Sequence, residues 1–297
     1  MRLGVDIGGT DIKFLVLDND KVSYKWQIPT NTESVEVFVD SIISQYRKIY
    51  KEYPIDCVGI GFPGSIRGGI VFAENLFREE FPLAKMLSEE IDVPIRIDND
   101  ANCAALAETR FGNTKGYKNI ILITLGTGIG GGIVIDNKIL AGRGYAGEIG
   151  HMVIGGLKGR PCNCGLNGCW EQYASATALI RDARLAAEKN PDSLLSVLVK
   201  EKGAAFNGKD FFEAYNQGCD VAKNVLSDYL DWLSSGIFSL IRIFEPEAVI
   251  LAGGITKQGE TFIDELRKRV YSPLYPDVQI EISSLQSEAG ALGAALL

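Results

Sequence analysis

Histidine is almost absent from this 297-residue chain, which has one, His151. That one stands just upstream of cysteines, and a single imidazole suffices where the proposed base is a carboxylate. Basic residues are also in deficit. Thirty Lys and Arg face 38 Asp and Glu, a formal net charge of −8. Binding a phosphate backbone needs a basic face, so nucleic acid is not an expected partner. No apolar run is long enough to span a bilayer, so no membrane is expected either. The N-terminal stretch "MRLGVDIGGTDIKF" lacks the basic, apolar, small-residue order of a signal peptide, and the expected location is cytoplasmic. Low-complexity tracts and short-period repeats are missing, which excludes a solenoid. What is present is an ordinary globular composition, 46% hydrophobic and 23% charged. The length suits two domains better than one core.

Periodicity predicts an α/β protein. "LGVDI", "IKFLVLD" and "KVSYKWQI" read as three strands, with a hairpin turn at Asn19 and Asp20. Val35, Phe38, Val39, Ile42, Ile43, Tyr46 and Ile49 recur at helical spacing. "DCVGIGF" and "PIRID" read as strands, with a helix over roughly 83–91 between them. "NDANCAALAETRFG" reads as a helix stopped by Gly112. From residue 113 the pattern restarts with "NIILITLGTGIGGGIVIDNKIL", a strand, a glycine turn and a strand. A long amphipathic helix over 218–244 ends before Pro246. "AVILAGGI" and "VQIEISS" read as further strands, and "EAGALGAALL" as a last helix. Two similar blocks in series predict a duplicated α/β unit: a small lobe, 1–112, and a large lobe, 113–286. A cleft between such lobes is a common place for a ligand.

"DIGGT" (Asp6 to Thr10) and "LGTGIGGG" (Leu125 to Gly132) each join two apolar strands. Glycines bring backbone N–H groups close to a ligand, and such turns can cradle phosphate. Candidate phosphate-binding residues are Gly8, Gly9, Thr10, Gly126, Thr127 and Gly128. Neither turn has the spacing or lysine of a P-loop, and neither opens a helix as a dinucleotide fingerprint does. Asp6, at a buried strand end, could hold Mg2+ through water. A third turn, with Gly253 and Gly254, could make room for an adenosine. Asp98, Asn99 and Asp100 stand where a strand gives way to a helix. One of them can serve as an N-cap. A carboxylate there could take a proton from a hydroxyl attacking a γ-phosphate, and local logic leaves Asp98 and Asp100 as equals.

His151, Cys162, Cys164 and Cys169 offer one imidazole and three thiolates in a glycine-rich segment. That set matches a closed, structural Cys3His zinc site. The second imidazole nitrogen could then meet a substrate hydroxyl. Glu148 and Glu171 flank the segment, and carboxylates accept hydrogen bonds from vicinal hydroxyls, as a sugar would offer. Cys57, Cys103 and Cys219 lie on apolar faces and read as core filling.

Taken together, these motifs resemble the ROK family (repressors, open reading frames and sugar kinases) along essentially the whole chain. "DIGGTDIKFLVLD" and "LITLGTGIGGGIV" resemble its two phosphate motifs, and "NDANCAALAE" its catalytic-base motif. "GFPG" and "ENL" resemble sugar-site loops, and "GEIGH" with "CNCGLNGCWE" resembles the zinc signature. The resemblance implies the actin-like ATPase and hexokinase (ribonuclease H-like) fold, with ATP between two lobes and the last helix, 287–297, packed back on the first. It implies ATP-dependent phosphorylation of a hexose hydroxyl, most often on glucose, with ATP, Mg2+ and structural Zn2+. Kinases for N-acetylmannosamine, fructose or allose share these motifs. Asp100 would be the general base. Asn75, Asn99, Glu148, His151 and Glu171 would contact the sugar, with His151 also on the metal. A homodimer or homotetramer is implied. Sugar-sensing regulators of the family carry a helix-turn-helix region, for which a phosphate motif starting at Asp6 leaves no room. One departure is Asp11, where many relatives have a basic residue after "GGT".

Overall fold

The computed structural model describes residues 1–73, 76–271 and 277–297. Three strands open the chain, β1 (Arg2–Ile7), β2 (Asp11–Asp18) and β3 (Lys21–Pro29), followed by α1 (Val35–Tyr50) and β4 (Cys57–Phe62). Short strands β5 (Ser65–Arg67), β6 (Ile70–Ala73) and β7 (Phe77–Phe81) precede α2 (Leu83–Ser88), β8 (Ile95–Asn99) and α3 (Asp100–Phe111). Next come β9 (Ile120–Leu125), β10 (Ile129–Ile135) and β11 (Lys138–Ile139). A helical stretch holds α4 (Glu171–Ala174), α5 (Ala176–Lys189), α6 (Leu194–Lys202), α7 (Gly208–Asn216) and α8 (Asp220–Phe244). The chain ends with β12 (Ala248–Ala252), α9 (Glu260–Val270), β13 (Gln279–Ile282) and α10 (Ala289–Leu296).

The strand orders are β3-β2-β1-β4-β8 in one sheet and β11-β10-β9-β12-β13 in another. In each, the third, second and first strands of a block lie side by side, then the fourth and fifth. This shared plan is the duplication that the sequence pattern predicts. In the first sheet β1 pairs antiparallel with β2 and parallel with β4, and β4 pairs parallel with β8. The small sheet β5-β6-β7 was not expected from the sequence. Its strands are too short and too polar to show a clear period of two.

The chain forms two compact units. One comprises Met1–Leu122, Gly132–Gly147 and Ser283–Leu297, and the other Ile123–Gly131 and Glu148–Ile282. In the first unit the sheet has two covered faces, because successive side chains alternate. Leu3, Val5, Ile7, Phe14 and Val16 face one core with Phe38 and Ile42 of α1. Leu15 and Leu17 face the other, with Leu292 and Ala295 of α10 and Ala107 of α3. On that second face the strands carry glycine where α10 crosses. A Cβ at Gly4 would come within 2.0 Å of the Ala291 carbonyl oxygen, and one at Gly59 within 1.8 Å of the Ala294 carbonyl oxygen. In the second unit, α8 buries Tyr229, Leu233, Ile237 and Leu240 along one stripe. Trp170 is fully buried, its ring lying where a Cβ on Gly236 would go, and its Nε1 donates to the Trp232 carbonyl at 2.9 Å. Glu245, left-handed at φ 44°, ends α8 one residue before Pro246. Among the described residues no helix is long and apolar enough to cross a membrane.

Candidate active site

Parallel pairing brings three motifs of the first unit to one edge of the sheet. Asp6 on β1 is level with Gly61 on β4, and Gly61 with Asp98 on β8. The buried Cys103 thiol of α3 reports what surrounds it. Burial pushes its pKa well above the ordinary value, and the negative charges of Asp98, Asp100 and Asp6 push the same way. Three carboxylates from two distant stretches of sequence therefore cluster at the strand ends.

Their bonding differs. Asp98 Oδ1 accepts from the Asn99 N–H at 2.7 Å and from Asn102 Nδ2 at 2.8 Å. Asn99 is the N-cap of α3. Its Oδ1 accepts from the N–H of Ala101 at 2.9 Å and of Asn102 at 3.3 Å, while Nδ2 donates to the Gly64 carbonyl at 3.3 Å. Asp100 opens the helix and its Oδ1 accepts from the Ala101 N–H at 2.8 Å. Asp98 is thus committed to holding the strand-to-helix turn, and Asn99 supplies the cap. The expectation for Asn75 lies outside the described residues, as does Glu74.

The first glycine turn is latched at both ends. Gly8 donates to the Asp11 carbonyl at 3.0 Å, and Thr30 Oγ1 donates to the Gly8 carbonyl at 2.7 Å. Gly9 and Thr10 are exposed at its tip. Lys13 Nζ, opposite Asp6 in register, reaches Asp6 Oδ2 at 3.5 Å and the Ser287 carbonyl at 3.1 Å. The Asp6 pKa is raised, burial being the larger cause and Lys13 opposing it. A raised carboxylate pKa means that the folded form holds the proton more tightly than the unfolded chain. Its stabilising share is present at low pH and is lost as pH rises from the ordinary carboxylate value through the raised one. Asp6→Asn should therefore raise Tm at pH 7, by about 2 °C. The gain should vanish near pH 3. A lower Tm at neutral pH would mean that the Lys13 pair outweighs the burial.

In the second unit, Gly126, Thr127 and Gly128 join β9 to β10. The Gly126 N–H donates to the Gly128 carbonyl at 3.1 Å, closing the turn. β12 lies beside β9, which brings the turn at Gly253 next to it. Gly253 has φ 105°, and a Cβ there would meet the Leu125 carbonyl oxygen at 2.3 Å. Glycine is required on both counts. A cleft of about 690 Å³ opens at Thr127, lined also by Thr177, Arg181, Arg184, Phe206 and Asn207. Sequence reasoning missed these residues. The charges of α5 and the Asn207–Gly208 pair at the start of α7 match no phosphate motif, and only packing brings them to Thr127.

The His and Cys residues come together. The ligand atoms of His151, Cys162, Cys164 and Cys169 lie within 4.8 Å of one another. His151 Nδ1 is 3.6 Å from Cys162 Sγ, and the Cys164 and Cys169 sulfurs are 3.5 Å apart. A tetrahedral ion with bonds of about 2.0–2.3 Å separates its ligands by about 3.5–3.8 Å, so the set fits a four-coordinate metal. Nδ1 faces the cluster, which leaves Nε2 as the second nitrogen. Burial pushes the Cys169 thiol up to about 12, whereas a backbone hydrogen bond from Leu166 holds Cys164 below its ordinary value. A buried thiol of this kind becomes a thiolate only beside a cation. Small bridges, Val153 with Cys169 and Pro161 with Asn167, hold the loop. Glu148 is exposed and Glu171 half-buried, the latter in contact with Cys162.

Comparison with known proteins finds relatives along the whole chain. The model of the ROK family matches residues 2–297. A glucokinase of Streptomyces coelicolor is 37% identical over 309 residues, covering 99% of this chain and 96% of that protein. The crystal structure of a ROK family glucokinase from Streptomyces griseus, in complex with glucose and AMPPNP, superposes with a TM-score of 0.80 at 36% identity, covering 99% of this chain and 97% of that one. A ROK hexokinase from Thermus thermophilus gives a TM-score of 0.87 at 30% identity, covering 99% and 96%. The fold is that of the actin-like ATPases and hexokinases. With its motifs in family order, its strand plan repeated and its whole length matched, the chain belongs to the ROK family.

Proposed function

We propose that this protein is an ATP-dependent hexose kinase that converts glucose to glucose 6-phosphate. The observation that carries the reading is the position of Asp100, on the first turn of α3 and in the same carboxylate cluster as Asp6. Full-length similarity to glucokinases supports the choice of sugar. In this reading Asp100 accepts the proton of the sugar hydroxyl while that oxygen bonds to the γ-phosphorus. The bond from the γ-phosphorus to the bridging oxygen breaks, and ADP leaves with the negative charge. Backbone N–H groups of Gly8, Gly9 and Thr10 and of Gly126, Thr127 and Gly128 hold the phosphates. Asp6 holds Mg2+, whose charge offsets theirs. The cleft beside Thr127 and the turn at Gly253 and Gly254 take the nucleoside.

Asn75, Asn99, Glu148, His151 and Glu171 hold the sugar hydroxyls. With Oδ1 used as a cap, Asn99 offers its amide nitrogen. His151, Cys162, Cys164 and Cys169 hold a structural Zn2+ that fixes the loop, so the metal positions substrate and leaves proton transfer to Asp100. The lack of a signal pattern supports a cytoplasmic location, and the family resemblance supports a homodimer or homotetramer.

The test is ADP release across a panel of sugars, with kcat/KM for each. Glucose should rank first. A higher value for N-acetylmannosamine, fructose or allose would replace the sugar, and no turnover with any hexose or N-acetylhexosamine would sink the kinase. Metal analysis of purified protein should give about one zinc per chain. Cys164→Ser should raise KM for the sugar more than it lowers kcat, because it loosens His151. An unchanged KM would detach the metal loop from the sugar.

A further inference from the structure

Gly128 is not among the residues with positive φ, so its backbone does not demand glycine. A Cβ there would meet a single neighbour, the carboxylate of Glu171, with Oε2 at 2.4 Å. Glu171 fills that space, so a methyl group there would have to push the carboxylate aside. The other oxygen of this carboxylate, Oε1, lies 3.1 Å from Cys162 Sγ and accepts from Gln172 Nε2 at 3.3 Å. One side chain therefore touches the metal loop with one oxygen and the second phosphate turn with the other. A second connection runs alongside. The segment after Cys169 passes through α4 to Ala176, whose N–H donates to the Gly126 carbonyl at 2.9 Å. Residues 171–176 thus bond the turn at Gly126 and pack against it at Gly128.

We propose that Glu171 is a positioning residue for the nucleotide, coupling the metal loop to the Gly126–Gly128 turn in the absence of sugar. This rests on the kinase reading, which places phosphates on that turn, and adds to the sugar contact assigned to Glu171. A coupling of this kind is reciprocal. Whatever holds the turn must also steady the loop.

The experiment uses metal-loaded protein without sugar and a nonhydrolysable ATP analogue with Mg2+, with Kd measured by calorimetry. Glu171→Ala should weaken binding by about tenfold, an ordinary size for coupled neighbours. Glu171→Gln, which keeps the shape, should stay within about twofold of wild type. Gly128→Ala should weaken binding alone but add nothing to Glu171→Ala, since the methyl then has no carboxylate to displace. In wild type, bound analogue should slow zinc transfer to a chelating dye. An unchanged Kd in Glu171→Ala, additive losses in the double variant, or equal zinc-transfer rates would each overturn the coupling. Wild-type protein that binds no analogue at all would instead overturn the kinase reading beneath it.

Discussion

Asp100→Asn is expected to lower kcat by about a thousandfold, the usual worth of a positioned general base. The Kd values for glucose and for nucleotide should change little, since the loss falls on the transition state alone. Amide and carboxylate have the same shape, and Asn Oδ1 can still accept from the Ala101 N–H as Asp100 does. The helix start is therefore preserved, and stability should not confuse the result. Asp98 is the control. Its two bonds, from the Asn99 N–H and Asn102 Nδ2, are structural, and an amide oxygen can keep both. Asp98→Asn should retain kcat within about tenfold, while Asp98→Ala should lower Tm, as losing a half-buried acceptor of two hydrogen bonds does. Near-normal turnover in Asp100→Asn, with the loss in Asp98→Asn, would reverse the assignment.

Gly293→Ala is expected to destabilise the protein by about 3 kcal/mol and to lower Tm by roughly 5 °C. Helix propensity alone predicts the opposite, since alanine in place of a helical glycine gains about 1 kcal/mol. Packing decides the sign. A Cβ at Gly293 would lie 1.6 Å from the Cys103 carbonyl oxygen and 2.2 Å from its carbon. These are backbone atoms of α3 and cannot swing aside, so α10 would have to move. Moving it opens the cluster of Leu292, Ala291 and Ala295 against Leu15, Leu17 and Ala107. The same helix places Gly290 where a Cβ would meet the Asp6 carboxylate at 2.5 Å, so activity should fall with stability. A thermal melt settles the matter, and a Tm at or above wild type would show that the helices have room to part.

Most elements were legible in the sequence because their signals are local. The seven apolar positions of α1 are all buried in the structure. Asn19, with φ 52°, makes the expected hairpin turn. The cluster of His151, Cys162, Cys164 and Cys169 was legible too, because its members lie within one short segment. Asp98 and Asp100 were a tie in the sequence. Both are carboxylates at one strand end; the family resemblance favoured Asp100, and in the structure their hydrogen bonds differ. The β5-β6-β7 sheet was missed because strands of three to five residues leave too little pattern to read.

By itself, then, the sequence determined the strands, helices and glycine turns, their repetition in two blocks, and the residue types able to hold phosphate, metal and hydroxyls. Those properties depend on neighbours within one turn or one strand. Tertiary structure alone decided which glycines were compulsory and why. Gly4, Gly59 and Gly293 make way for backbone from distant segments. It also decided that Asp6, Asp98 and Asp100 share one sheet edge, and that Thr127 borders a cleft built from α5 and α7. Close approach between segments far apart in sequence leaves no periodic trace in either one, so it becomes visible only when the chain has packed.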